Sequence, residues 1–158
     1  MIFGGFLLKS TFELAFCCAA SFAHCRPTFV SLDPSTFQNP VPVGSVLYLT
    51  ATVVYCDPPL VDGQDESSNT NNDDPTTKKG FSRVQVRVDS KVRDVEHGET
   101  KPTGQFNYTF TVERDVKILP RSYTEFMMYV DARRRAKRVQ ETLIKGESDA
   151  GNKERVTE

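Results

Sequence analysis

Residues 1–25, MIFGGFLLKSTFELAFCCAASFAHC, decide the architecture, because this stretch is either a leader that is cut away or the first helix of the folded protein. A secretory leader needs a basic start, an unbroken apolar run of about 7 to 15 residues and a small-residue cleavage site. Met1 to Leu8 carries no basic residue, and Lys9 and Glu13 interrupt the apolar run. Cys18, Ala19, Ala20 and Ser21 look like cut-site material only locally. The same two charges count against a membrane span, which requires about 20 apolar residues. A working helix is left. Between Gly5 and Ala23, Leu8, Phe12, Ala15, Phe16, Ala19 and Phe22 recur at helical spacing. Phe6, Leu7, Leu14 and Cys18 fall on other sides, so the pattern predicts a helix enclosed by other elements.

The chain has 158 residues, enough for one domain with one core. Its 20 basic and 21 acidic residues nearly cancel, so the total charge points to neither nucleic acid nor an anionic membrane. Of the cysteines Cys17, Cys18, Cys25 and Cys56, the first two are adjacent, which suits neither a strain-free disulfide nor a zinc site. They read as free thiols in a reducing compartment, and no metal site is expected. Asn107-Tyr108-Thr109 fits the glycosylation triplet but lies within an alternating strand pattern, and is read as strand.

From Pro27 to Val112 the sequence has strand character. TFVSLDPSTF (28–37) is a strand broken at Pro34, and Gly44-Ser45 makes the turn before VLYLTATVVYC (46–56), where Leu47, Leu49, Ala51, Val53 and Tyr55 are read onto one face. Val84, Val86, Val88, Ser90 and Val92 alternate, as do Phe106, Tyr108, Phe110 and Val112, with HGETKPTG (97–104) read as the turn between them. Such strands predict an antiparallel sheet with one buried face, an α+β class. Residues 57–80 are acidic and rich in Asn, Asp and Pro, and are read as a disordered insertion. A C-terminal helix is predicted over 122–145, opened by a capping box of Ser122 and Glu125, with a polar tail over 146–158. The basic run Arg133 to Arg138 is read as the cationic end of that helix, suited to its dipole; Asp131 and Glu141 dilute its charge.

Two features carry chemistry. Gly4 and Gly5 open the first helix, where a ligand can approach the backbone and free N–H groups favour an oxyanion. Glu13 stands among Phe12, Leu14 and Phe16, surroundings that suit a general base. Eight residues separate Gly5 from Glu13, about 12 Å along a helix, so the two cannot act on one carbonyl within one chain. Two antiparallel helices across a two-fold axis would bring the amide end of one beside the Glu of the other. The bland alternative stands beside this one: the glycines only shape a turn, and Glu13 only pairs with Lys9.

IFGGFLLKSTFELAF (2–16), RPTFVSLDPSTFQNPVPVGSVLYLTATVVY (26–55), VQVRVDSKVRDVEHGETKPTGQFNYTFTV (84–112) and ILPRSYTEFMMYVDARRR (118–135) resemble, in order, the second hotdog domain of the eukaryotic tandem-hotdog acyl-CoA thioesterases of the mitochondrial branch. The resemblance implies a hotdog domain over 1–138, a long helix wrapped by an antiparallel sheet, and hydrolysis of acyl-CoA to a fatty acid and coenzyme A. No cofactor is implied beyond the coenzyme carried by the substrate. Gly4 and Gly5 match the glycine pair whose backbone amide polarises the thioester carbonyl, and Glu13 matches a helix carboxylate contributed across a dimer as nucleophile or base, one position beyond its place in some relatives. Val30, Ser31 and Arg87 match regions that line the coenzyme. The family has a strand ahead of FGG and a whole first hotdog domain, neither of which is in this sequence, so the resemblance implies pairing with itself or with another hotdog chain. It also implies mitochondria, with no targeting segment within residues 1–158. Three hypotheses follow: a dimeric acyl-CoA thioesterase, a module that binds acyl-CoA without turnover, and a structural domain that completes another hotdog protein.

Overall fold

The computed structural model describes residues 1–35, 37–57, 81–95 and 97–153, with side chains described through residue 138. The segment read as an acidic insertion lies, beyond Asp57, outside the described residues. The elements run α1 (Gly4–Ala23), β1 (Thr28–Leu32), β2 (Val46–Cys56), β3 (Ser82–Arg93), β4 (Thr100–Val112) and α2 (Tyr123–Lys153). They fall into two units, residues 1–118 and 119–158.

In the first unit the strands form one antiparallel sheet in the order β1-β4-β3-β2. α1 lies against β2, β3 and β4. It buries the row Leu7, Thr11, Ala15, Ala19 and Ala23, spaced by four residues so that it lies along one face. Three alanines in that row let the backbone come close to the sheet, while Leu8, Phe12, Phe16 and Phe22 pack beside it, half-buried. Val84, Val86 and Val88 from β3 and Phe106, Tyr108, Phe110 and Val112 from β4 complete the core, as the alternation predicts. Length and composition would in fact let α1 cross a membrane; here its small-residue row is seated on the sheet.

Three expectations need correction. Among the described residues, the four-stranded sheet covers α1 on one side and leaves the other open: Phe6, Lys9, Glu13, Cys17 and Ser21 form an exposed row there. The β2 alternation breaks at an irregularity between Val53 and Tyr55, where Val53 pairs with Val86 but Tyr55 pairs with Gln85. Paired residues share a face, so Tyr55 stands on the side away from α1, opposite to Val53. Third, β4 begins at Thr100, within the segment read as turn. Pro102 is accommodated there, lacking an N–H, at a register shift between Ser90 and Lys91. Gly44, at φ 92°, makes the turn into β2 that the sequence predicts.

A buried hydroxyl pair fixes the helix on the sheet. Thr11 Oγ1 lies 2.7 Å from Tyr108 Oη and 2.8 Å from the Leu7 carbonyl, and Tyr108 Oη donates to the Leu8 carbonyl at 3.2 Å. Burial pushes the Tyr108 phenol up, partly offset by the bond with Thr11. Tyr108→Phe removes the hydroxyl while Thr11 keeps its bond to Leu7. We expect a loss of about 1 kcal/mol in a urea melt; an unchanged midpoint would mean that the pair is not formed in solution.

All four cysteines are free, with Cys17 exposed and Cys56 buried. Burial and the neighbouring Asp57 push the Cys56 thiol up to about 12, which leaves it unreactive at neutral pH.

In the second unit, α2 opens with the expected capping box. Glu125 N–H donates to Ser122 Oγ at 3.2 Å, and Glu125 Oε2 accepts from the Ser122 and Arg121 amides at 3.3 and 2.7 Å. The helix continues to Lys153, past the predicted end at residue 145. Gly146 costs a helix only about 1 kcal/mol, and no proline follows to stop it.

Candidate active site

The start of α1 is an uncapped helix end. Phe3 at the N-cap is extended (φ −69°, ψ 135°) and supplies no side-chain acceptor, and the first turn holds no acidic residue. The first N–H groups of such a helix have no intrahelical acceptor and carry its positive pole. Gly4 and Gly5 give this end its shape. A Cβ on Gly4 would stand 3.3 Å from the Phe37 ring, and one on Gly5 would stand 2.6 Å from the Phe3 ring. Phe37 thus rests on the bare backbone of Gly4, while Phe3, 82% exposed, covers Gly5 from the solvent side.

Beside this helix end lies a hollow of about 340 Å³, lined by Met1, Ile2, Leu7, Gln38, Asn39 and Val41 among others. Ile2 N–H donates to the Val41 carbonyl at 2.8 Å, Gln38 N–H to Thr103 at 2.9 Å and Asn39 Nδ2 to Pro102 at 2.7 Å, so the loop is tied both to the chain ahead of α1 and to β4. Phe37, Gln38 and Asn39 were not singled out by sequence reasoning. The short polar run between Pro34 and Pro40 was the available signal, a constrained loop with side chains that can bind.

Glu13 does not meet this hollow. It sits more than two turns along α1 on the exposed row, its side chain 63% exposed, with Lys9 Nζ 3.9 Å away. Among the described residues Glu13 lacks the apolar enclosure expected from its sequence neighbours, because Phe12 and Phe16 pack toward Phe110 and leave it facing outward. Val30 lies at the irregularity of β1 between Phe29 and Ser31 and is 48% exposed, with Ser31 half-buried beside it. Arg87 alternates with the core residues Val86 and Val88, so it projects from the sheet face away from α1, where both Asp89 oxygens accept from its Nε at 3.0 Å. The single chain therefore brings Gly4 and Gly5 together and leaves Glu13, Val30 with Ser31, and Arg87 at three separate places.

No family model matches the chain. Over 137 residues it is 36% identical to mouse "Acyl-coenzyme A thioesterase 9, mitochondrial", a match that covers 86% of this chain and 26% of the mouse protein. It is 35% identical to the human protein of the same name over 134 residues, covering 84% of this chain and 25% of that one. It is 33% identical over 122 residues to the hop protein "Acyl-coenzyme A thioesterase 2, chloroplastic", with 77% and 24% covered. The chain is a hotdog domain related to the acyl-coenzyme A thioesterases. It spans about a quarter of the length of these relatives. The fold is shared with two solved acyl-CoA hydrolases at a TM-score of 0.70 each: one from Staphylococcus aureus in complex with butyryl coenzyme A and coenzyme A (19% identity, 93% of this chain and 80% of that one) and one from Bacillus cereus (18% identity, 94% and 79%).

Proposed function

We propose that this domain hydrolyses acyl-CoA thioesters to a carboxylic acid and free coenzyme A, working as one half of a hotdog pair. The similarity of most of the chain to proteins named acyl-CoA thioesterases carries the reading. The open row of α1, with Phe6 55% exposed two turns before Glu13, supports the pairing, as does a hexameric acyl-CoA thioesterase of the same fold, which has a TM-score of 0.65. With a second hotdog laid antiparallel on that row, Glu13 of one chain would reach the glycine end of the other.

In such a site the thioester carbonyl points at the Gly4 and Gly5 amides. Glu13 takes a proton from water, the water oxygen bonds to the carbonyl carbon, and the developing oxyanion is held by the amides. Collapse breaks the C–S bond, and the departing sulfur takes the proton back from Glu13. Val30 and Ser31 are assigned to coenzyme contacts, together with Arg87, whose guanidinium would have to exchange Asp89 for a phosphate. Because the mouse and human relatives are named as mitochondrial, we assign this chain to mitochondria as well.

The test is loss of the thioester's ultraviolet absorbance with short, medium and long acyl-CoA, across a range of protein concentrations. Thiol dyes would react with the exposed Cys17. Specific activity is expected to rise with concentration and level off once pairs are complete. No turnover in a folded, paired sample would overturn the reading. One observation favours binding without hydrolysis: Glu13 lies beside Lys9, in solvent, in the single chain. Coenzyme A affinity without product would establish that alternative.

A further inference from the structure

The basic run of α2 is not at the end of its helix. Arg138 lies 15 residues before Lys153, where α2 ends, and the dipole acts only over the last turn. Its cations therefore need another explanation. At 3.6 residues per turn, Tyr123, Phe126, Met127 and Val130 fall with Arg133, Arg134, Lys137 and Arg138 into one sector of about 140°. Tyr123, Phe126 and Met127 are 78%, 51% and 47% exposed, and all four cations are exposed. Ala132, on the opposite side of the helix, is fully buried. One continuous exposed face is thus apolar over its first two turns and cationic over the next two, about 22 Å in all.

Arg135 pairs with Asp131, and both stand at the flank of this sector. A merely solvated face would not present three large apolar side chains to water. A nucleic-acid surface would interleave aromatics with cations, whereas here the aromatics precede them. Aromatic and aliphatic side chains adjoining a cluster of Arg and Lys match a bilayer interface that carries negative headgroups.

We propose that this face of α2 docks on an anionic lipid surface, with Tyr123, Phe126 and Met127 entering the headgroup boundary and Arg133, Arg134, Lys137 and Arg138 meeting the headgroup charge. The docking is separate from thioester hydrolysis and stands whether or not the domain turns over substrate.

The chain has no tryptophan, so Phe126→Trp supplies a single reporter. The whole chain would be sedimented with vesicles of phosphatidylcholine alone and with a third of phosphatidylglycerol, at low and high salt. Expected are binding to the anionic vesicles only, weakening with salt, and a blue shift of the Trp emission. The Arg133→Gln/Arg134→Gln/Lys137→Gln triple, checked for folding by circular dichroism, should lose about a hundredfold in affinity, near fivefold per cation. Equal partition onto both vesicle types, an unchanged triple variant, or a wild-type chain that stays in solution would each overturn the proposal. So would a Trp shift that follows protein concentration without vesicles, which would assign the face to a second copy.

Discussion

Glu13→Gln should lower kcat by between about a hundred and ten thousand times and leave KM nearly unchanged, the range set by removing a positioned general base. The folded chain should barely notice. Glu13 is 63% exposed and its ion-pair partner, Lys9, is 3.9 Å away and itself 72% exposed, so that ion pair contributes at most about 0.5 kcal/mol. Lys9→Gln breaks the same pair without touching the carboxylate and serves as the control. If Glu13 only holds Lys9, the two variants will behave alike. If it is the base, only Glu13→Gln will lose turnover. Mixing chains then tests where the carboxylate acts. A Glu13→Gln chain combined with a Gly5→Val chain forms mixed pairs in which one of the two sites is intact, so about a quarter of wild-type activity should return at equal mixing. Retained turnover in Glu13→Gln, or no recovery on mixing, would remove the cross-pair arrangement.

The helix and the strands were legible because their side-chain periods are strong and local. Val84 to Val92 and Phe106 to Val112 alternate without a fault, and both runs are buried as read. The helix row was read less well. Its buried line is Leu7, Thr11, Ala15, Ala19 and Ala23, not the larger Leu8, Phe12 and Phe16, because small residues allow the closest approach to a sheet. Thr11 is the link to Tyr108, a contact across 97 residues that no local pattern reveals. The displacement of Tyr55 has the same origin: an irregularity in β2 reverses the face of everything after it, and periodicity carries no sign of where one will fall. The place of the glycine pair at the start of α1 was legible because helix ends are local. The exposure of Glu13 was not, since it depends on how many sides of α1 the sheet covers.

Phe110→Ala should be the most damaging single core truncation, costing about 3 to 5 kcal/mol. Phe110 is fully buried on β4, and its ring lies 6.1 Å from Phe12, 6.2 Å from Phe16, 6.1 Å from Phe29 and 6.4 Å from Tyr108, centroid to centroid. It therefore touches α1, β1 and its own strand at once, and Phe12 meets Phe29 edge-on at 5.3 Å across the same gap. Removing the ring takes a common partner from four aromatics, and Ala15 and Ala19 are too small to fill the space from the helix side. Against a usual total of 5 to 15 kcal/mol, the loss should lower Tm by roughly 10 °C or more. A conservative Phe110→Leu keeps most of the volume and should lose far less, which separates packing from any effect on β4 pairing. A penalty below about 1 kcal/mol for Phe110→Ala would mean that α1 does not rest on this cluster in solution. The consequence reaches the proposed chemistry. Phe12 adjoins Glu13 in sequence and is held by Phe110, so the truncation should loosen the stretch of α1 that presents the carboxylate. Turnover measured well below Tm should then fall together with stability, whereas Glu13→Gln removes turnover and leaves stability in place.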